Sequence, residues 1–205
     1  MITIYGMQDS GNCYKPRLLC ALAGIAFRHV EVSMLDGGTK RPDFLAMNPV
    51  GQVPLLELED GRRLAESDAI LWHLGETTPF VPADPFEKSQ MLQWMFFEQN
   101  GHEMHVAGRR SLLVYPERRA SATPERLEVA LQRGTSALAV MEAHLETRRF
   151  FVGETPSLAD IALFAYTHVA DEGGFDLDAL PAVTAWLTRI VELPGFRPMS
   201  WLPEG

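Results

Sequence analysis

The chain has 205 residues, 46% of them hydrophobic and 22% charged, which is typical of a globular protein with one or two domains. Its formal net charge of −9 argues against a nucleic-acid partner, because a surface that binds nucleic acid must be basic. No apolar run is long enough to span a bilayer and MITIYGM is not a signal peptide, so we expect a cytoplasmic protein with no membrane partner.

The first part of the chain alternates between strand and helix patterns. The predicted elements are a strand at 2–6, a helix at 13–23 that stops at Gly24, a strand at 27–32, a short helix at 41–47, strands at 53–59 and 62–66, and a helix at 67–76. Asp60-Gly61 between the last two strands is a strong hairpin signal. The order is therefore β-α-β-α-β-β-α.

The two cysteines, Cys13 and Cys20, fall in one predicted helix. Seven residues of helix separate them by roughly 10 Å along the axis, which is beyond the reach of a disulfide. They form no CxxC pair and have no metal-ligand spacing, so we expect a reduced compartment and a core role for Cys20.

A proline-rich stretch, TTPFVPADPF, separates this part from the rest. The remaining chain has helical patterns only, predicted at 87–115, 124–148, 157–170 and 181–193. We therefore predict an α/β domain at 1–78, a linker at 79–86 and an all-α domain at 87–205.

The peptide bond between Val53 and Pro54 opens the third predicted strand. Proline donates no ladder hydrogen bond and so belongs at the start or edge of a strand. Because only about 5–6% of X–Pro bonds in folded proteins are cis, statistics alone favour a trans bond here.

Four motifs stand in register along nearly the whole chain: YGMQDSGNCYKPRL, NPVGQVPLLE, ESDAILWHL and TPSLADIALF. Together with the order of elements, they resemble the cytosolic glutathione transferases, in particular bacterial members with a Ser/Asn-type active site. The resemblance implies a thioredoxin-like N-terminal domain that binds glutathione and an all-helical domain that lines the pocket of the second substrate. It also implies a homodimer that uses glutathione as co-substrate, with no other cofactor, and a small electrophilic or disulfide substrate.

The resemblance also assigns the glutathione contacts. It implies a cis Val53–Pro54 bond, whose exposed backbone pairs with the cysteinyl part of glutathione as a small case of strand addition. Ser67, as the N-cap of its helix, and Glu66 before it would bind the γ-glutamyl carboxylate and ammonium. Gln52 would lie near the glycyl end, and either Thr39 or Lys40 would reach the glycyl carboxylate.

The thiol-activating residues follow the first strand. The free thiol has a pKa of about 8.5, and a hydroxyl that donates to the sulfur anion would favour the thiolate. Ser10 matches the serine of the Ser-type classes and Asn12 offers a second donor, although both residues also suit a simple turn. The carboxylate of Asp9 beside them would oppose this effect. Some bacterial classes use a cysteine here instead, but counting back from Pro16 puts Asn12, not Cys13, at that position.

The predicted helical domain contains one group of polar residues and one group of apolar and aromatic residues that could have a functional role. One helical face carries the polar residues Glu98, His102, His105 and Arg109. We expect this face to form the polar side of the interdomain cleft or a dimer contact. The two histidines are three residues apart, which does not match the zinc motif, so zinc is not predicted. Met95, Met104 and Tyr115 would border the second-substrate pocket or belong to the core.

Ser157 and Asp160 predict a capping box with a role in folding.

Three functions remain open from the sequence. The favoured one is transfer of the glutathione thiolate to an electrophile. The second is glutathione-dependent reduction of a disulfide or peroxide. The third is a module that binds glutathione without useful turnover, which Asp9 would favour.

Overall fold

The computed structural model describes residues 1–203. The chain folds into two compact units, one formed by residues 1–78 with 193–203 and the other by residues 79–192. The first is an α/β unit and the second is helical, so the predicted fold class is confirmed. The sequence predicts residues 193–203 as part of the helical domain, but they pack in the first unit.

The first unit is built on a sheet of four strands within residues 1–203. The strands are β1 (Ile2–Gly6), β2 (Phe27–Glu31), β3 (Leu55–Glu57) and β4 (Arg63–Ala65). They stand in the order β2-β1-β3-β4, with β1 and β2 parallel and the other pairs antiparallel. The predicted crossover and hairpin are therefore confirmed. β3 starts later than expected because Val53 and Pro54 form the bend before it.

Three helices connect these strands: α1 (Gly11–Ala23), α2 (Pro42–Met47) and α3 (Ser67–Gly75). α1 starts two residues earlier than predicted because Ser10 caps it, and it ends where Gly24 adopts φ 67°. An apolar core joins the sheet to α1 and α3, and its central residues are Ile4, Cys20, Phe27, Leu56 and Ile70.

The last described residues are tied to α1 by hydrogen bonds to backbone carbonyls. The hydroxyl of Tyr14 donates to the carbonyl of Arg197 across 2.5 Å. The guanidinium of Arg17, which is 1% exposed, donates to the carbonyls of Met199 and Trp201 at 3.2 and 3.3 Å. These bonds explain why the segment after Leu193 belongs to the first unit.

The second unit contains five α-helices within the described residues. They are α4 (Pro85–Phe97), α5 (Met104–Val114), α6 (Pro124–Leu145), α7 (Leu158–Thr167) and α8 (Pro181–Val191). Proline opens α4, α6 and α8, where its missing N–H costs no helical hydrogen bond. α7 is buried along its whole length and forms the centre of this unit.

The predicted helix at 87–115 is in fact interrupted. Residues Glu98–Glu103 form a π-helical turn between α4 and α5. Such a turn contains an extra residue and therefore rotates the side chains after it relative to a continuous α-helix.

Within residues 1–203, none of the helices combines the length and the apolar composition that a membrane span requires.

Candidate functional site

Ser10 lies at the N-terminus of α1, directly after the turn that follows β1. Its hydroxyl oxygen accepts a hydrogen bond from the backbone N–H of Cys13 across 3.4 Å, and the residue is 4% exposed. A serine that caps a helix in this way satisfies one of the N–H groups left over at the helix start. The side chain predicted to hold the thiolate is therefore fixed by the fold of α1.

Cys13, one turn further, has a different environment. Its side chain is 0% exposed. It packs so closely against Gly6 of β1 that a Cβ atom added to this glycine would lie only 2.9 Å from the Cβ atom of Cys13. Burial raises the pKa of the thiol to about 11, although hydrogen bonds from Ser10 and the Met7 N–H act in the opposite direction. A buried, protonated thiol is a poor nucleophile, so Cys13 has the properties of a core residue.

Cys20 also belongs to the core. It is 1% exposed, and burial raises its thiol pKa to about 12. Both cysteines are free.

The start of α3 differs by one residue from the prediction. Ser67 was expected to be the N-cap, but the N-cap is Glu66 and Ser67 is the first helical residue. Glu66 is exposed and has φ 71°, a value that non-glycine residues rarely adopt and that often occurs at functional sites. The prediction failed because the Ser67 hydroxyl does not cap the helix but bonds to side chains of α1.

Those bonds join the two helix starts. The Ser67 hydroxyl lies 3.3 Å from Oδ1 of Asn12, to which it donates, and 3.2 Å from Nζ of Lys15, from which it accepts. Nζ of Lys15 also lies 3.2 Å from Oδ1 of Asp68. Asn12 in the first turn of α1 and Ser67 in the first turn of α3 are thus directly connected, and Ser10 and Glu66 are the N-caps of these two helices.

Lys15 lies between the two helix starts, although no sequence pattern indicates it as a site residue. The side chain is 0% exposed, which is unusual for lysine and requires a paired carboxylate or hydrogen-bond acceptors. Its partners are 52 and 53 residues away in the chain, so local periodicity contained no signal for them.

The segment before β3 brings together the other predicted contacts. The Val53–Pro54 bond is cis, as the resemblance implied. The carbonyl of Gln52 accepts a hydrogen bond from the Asn48 amide across 2.8 Å, while the rest of Gln52 is exposed. The backbone of this segment is therefore fixed by a buried asparagine.

Lys40 stabilises the turn just before this segment. Its ammonium donates to the carbonyls of Val50 and Gly51 at 3.2 and 2.9 Å. Of the two residues considered for the glycyl carboxylate, Thr39 is 3% exposed whereas Lys40 is exposed. This difference in exposure favours Lys40.

Asp9 is exposed, and its charge acts on Arg17. Burial lowers the pKa of Arg17, while neighbouring groups, Asp9 among them, oppose that shift. The carboxylate that was expected to disturb the thiolate therefore has a buried cation close by.

The polar face predicted in the second unit is largely interior. Glu98 and His102 are 0% exposed, contrary to the expectation that they line a cleft or an interface. The Thr167 hydroxyl donates to the Leu163 carbonyl at 2.7 Å, so Nε2 of His102, 2.9 Å from that hydroxyl, is the donor between them. The π-helical turn accounts for the difference, because spacing rules for a continuous α-helix do not apply across it.

The other residues of that region have structural contacts. Arg109 donates to the carbonyls of Gly173 and Leu127 at 2.6 and 2.8 Å. Met95 and Tyr115 are buried, whereas Met104 is exposed. His105 is partly exposed, and its pKa is lowered by desolvation and by the nearby charge of Arg133.

Asp160 forms the predicted capping box with Ser157. Its carboxylate accepts from the Ser157 N–H and hydroxyl, both at 2.8 Å, and from the Phe151 N–H and the Trp186 indole at 3.1 and 2.9 Å. Burial raises the pKa of this carboxyl, and the hydrogen bonds lower it. These four donors hold the start of α7, which agrees with a role in folding.

Known proteins resemble the chain along nearly its full length. The family model for the glutathione S-transferase N-terminal domain matches residues 9–77, and that for the C-terminal domain matches residues 106–194. The crystal structure of a possible glutathione S-transferase from Rhodopseudomonas palustris is 48% identical with a TM-score of 0.95, covering 98% of this chain and 99% of that one. The disulfide-bond oxidoreductase YfcG of Escherichia coli (strain K12) is 30% identical, with 95% of this chain and 92% of the relative covered.

A further solved structure contains a ligand. It is a glutathione transferase homolog from Sulfitobacter with bound glutathione. It is 26% identical to this chain with a TM-score of 0.79, and 98% of this chain and 95% of that one are covered.

Proposed function

The chain belongs to the glutathione S-transferase family, and we propose that it binds glutathione in its first unit and transfers the thiolate to an electrophile. The main support is the hydrogen bond between Ser67 and Asn12, which connects the helix start suited to an anion with the helix start that bears thiol-directed donors. The glutathione bound to the Sulfitobacter relative supports the choice of ligand.

The γ-glutamyl part of glutathione binds at the start of α3. Backbone N–H groups of the first turn are suited to its carboxylate, and Ser67 stands at the first helical position. Glu66 is exposed beside that turn and binds the ammonium through a charge-assisted hydrogen bond. Both ends of the ligand's amino-acid group are therefore recognised by consecutive residues.

The remainder of glutathione binds along the segment before β3. The backbone of Val53, followed by Pro54, pairs with the cysteinyl unit, and Gln52 contacts the glycyl end. Lys40, whose ammonium already contacts the Gly51 carbonyl at 2.9 Å, is the cation available to the glycyl carboxylate.

Ser10 and Asn12 then stabilise the thiolate. The Ser10 hydroxyl interacts with the neutral Cys13 thiol, and a charged glutathione sulfur is a stronger acceptor for the same hydrogen. Asn12 adds an amide donor. Because each hydrogen bond to the anion favours it over the thiol, both residues lower the pKa of bound glutathione.

The experiment that tests the proposal measures binding and ionisation together. Isothermal titration should give a dissociation constant roughly between micromolar and millimolar, and the ultraviolet absorbance of the bound thiolate should appear below the free pKa of about 8.5. Turnover with a halogenated aromatic should follow the same titration. Absence of binding at several millimolar glutathione would refute the proposal.

Glutathione-dependent reduction of a disulfide is the second candidate, favoured by the likeness to an Escherichia coli disulfide-bond oxidoreductase. Cys13 and Cys20 are buried, so the attacking group would be the glutathione thiolate itself. It would form a mixed disulfide with one substrate sulfur and release the other as a thiolate. A second glutathione thiolate would then attack the glutathione sulfur of the mixed disulfide, forming glutathione disulfide and releasing the remaining substrate thiolate. Parallel assays with a halogenated aromatic, a disulfide and a hydroperoxide separate the two functions.

We also propose a homodimer, as in the family. α4 and the start of α5 expose apolar side chains, with Phe86, Phe96 and Met104 at 71%, 66% and 64%. Large exposed apolar side chains often mark an interface. Light scattering that gave the 22.9 kDa mass of one chain at micromolar concentration would contradict this proposal.

A further inference from the structure

A buried lysine stands behind the proposed thiolate donors. Lys15 is 0% exposed, and its Nζ lies 3.2 Å from both Ser67 Oγ and Asp68 Oδ1 at the start of α3. An ammonium can only donate, so it uses an acceptor position on each of these partners. Keeping a charge out of water is costly even when it is paired, and replacing such a pair by apolar groups is often neutral for stability. A contribution to function would explain why this charge is kept here.

The Ser67 hydroxyl connects that charge to Asn12. It accepts from Lys15 and donates to Oδ1 of Asn12 across 3.3 Å. The ammonium of Lys15, the hydroxyl of Ser67 and the amide of Asn12 thus form a chain of hydrogen bonds. In each bond the donor lies on the lysine side and the acceptor on the amide side. Hydrogen bonds in such chains polarise one another, so a cation at the first position makes the amide N–H at the far end a stronger donor.

We propose that Lys15 is a positioning residue for the thiolate: through Ser67 it turns Oδ1 of Asn12 towards α3 and strengthens the amide N–H that Asn12 offers to the glutathione sulfur. This inference rests on the proposed function, in which Asn12 donates to that sulfur. Lys15 itself does not touch the ligand. One hydroxyl, that of Ser67, would then link the helix start that binds glutathione to the group that activates it.

Other charged side chains at the two helix starts would act on the sulfur directly, without the relay of hydrogen bonds from Lys15 through Ser67 to Asn12. They are Asp68 and Glu66 at the start of α3, Arg17 on α1, and Asp9 before α1. A direct effect of the Lys15 charge would reach the sulfur whether or not Asn12 is present. An effect through the relay requires the Asn12 amide, and this difference makes the two explanations separable.

A double-mutant cycle between Lys15→Met and Asn12→Ala tests the relay, with the pKa of bound glutathione read from thiolate absorbance at saturating ligand. We expect Lys15→Met alone to raise that pKa by about half a unit to one unit. In the Asn12→Ala background it should cause no further shift. Equal shifts in both backgrounds, or no shift in either, would overturn the inference.

Two further variants keep the test valid if Lys15→Met does not fold. Lys15→Met combined with Asp68→Asn removes both charges of the buried pair, so neither is left uncompensated, and the cycle can be repeated from it. Ser67→Ala retains the lysine but breaks the relay, and it should raise the thiol pKa as Lys15→Met does. An unchanged thiol pKa in Ser67→Ala would contradict the relay.

Circular dichroism and the glutathione dissociation constant are measured for every variant, because a merely structural role would change these and not the thiol pKa. A wild-type protein that binds glutathione without lowering its thiol pKa would refute the proposed function, and this inference with it. A lowered wild-type pKa with an additive cycle would refute the relay alone.

Discussion

The Ser10 hydroxyl oxygen accepts the backbone N–H of Cys13 across 3.4 Å, so one side chain both caps α1 and stands where the thiolate is proposed to lie. The same contact brings Ser10 next to a cysteine that is 0% exposed. The stability of α1 and the proposed activation of glutathione would therefore depend on the same first turn of this helix. Substitutions at the two positions should separate these roles.

Cys13 should make stability fall at alkaline pH. Burial raises its pKa from 9.0 to about 11, so the folded protein holds this proton more tightly than the unfolded chain does. The corresponding stability is present below about pH 9 and is lost as the pH rises through about 11, an expected change of about 2–3 kcal/mol. The free energy of unfolding, measured with denaturant at about pH 7, 9 and 11, tests this expectation.

Cys13→Ala is the matched variant for this titration. It should be less stable than the wild type at neutral pH because it leaves a cavity, but its stability should fall less between pH 9 and 11. Some decline will remain, since burial raises the pKa of Cys20 to about 12. An equal decline in both proteins would show that Cys13 does not titrate in this range.

Glu66→Gln should weaken glutathione binding without affecting the fold. The substitution keeps the shape of the side chain but removes the charge proposed to meet the ligand's ammonium. A charge-assisted hydrogen bond is about twice as strong as a neutral one, so we expect an increase of roughly 5- to 10-fold in the dissociation constant by isothermal titration. The thermal midpoint should not change, because Glu66 is exposed.

Glu76→Gln is the control for that prediction. Glu76 is also exposed and flanks the other end of α3, so the net charge changes equally but far from the proposed ammonium site. It should bind glutathione as the wild type does. Equal weakening by both substitutions would mean that net charge, and not Glu66, controls affinity.

The sequence was sufficient for the architecture of the first unit but not for the interior of its site. Alternating apolar residues, Asp60-Gly61 and the glycine after α1 predicted the order of strands and helices correctly, because these signals are local. The resemblance correctly implied the cis Val53–Pro54 bond, and the proposed role of Ser10 rests on the same resemblance. Lys15 was missed because its burial depends on Ser67, 52 residues away.

The second unit shows the same limit. The helix pattern at 87–115 was correct in type, but the π-helical turn at Glu98–Glu103 has no distinctive sequence signal. Its extra residue is accommodated by packing around α7, which only the folded structure reveals. The interior positions of Glu98 and His102 therefore could not be derived from helical spacing.

Arg17→Met should destabilise the first unit strongly. The guanidinium is 1% exposed and donates to the carbonyls of Gln8, Met199 and Trp201 at 2.5, 3.2 and 3.3 Å. Removing it leaves these acceptors without their donor, and we expect a loss of roughly 2–4 kcal/mol in the free energy of unfolding. Arg62→Met is the control, because its ion pair with Asp60 is exposed to solvent and should contribute little to stability.

Ser10→Ala should impair activation of glutathione more than its binding. The lost hydrogen bond to a charged sulfur corresponds to roughly 1.5–3 kcal/mol, or about one to two units of thiol pKa, and turnover near neutral pH should fall by a comparable factor. Loss of the cap should also lower stability by about 1 kcal/mol. The dissociation constant should change little, since Val53, Glu66 and Ser67 carry most of the proposed affinity.

Ser10→Thr separates the two effects of that substitution, because threonine retains a hydroxyl and can still cap α1. It should keep both the stability and the lowered thiol pKa, whereas Asn12→Ala should raise the pKa less than Ser10→Ala does. The thiol pKa of bound glutathione, read from thiolate absorbance, is the deciding measurement. If Ser10→Ala loses stability but leaves that pKa unchanged, Ser10 is a helix cap only and has no part in activating glutathione.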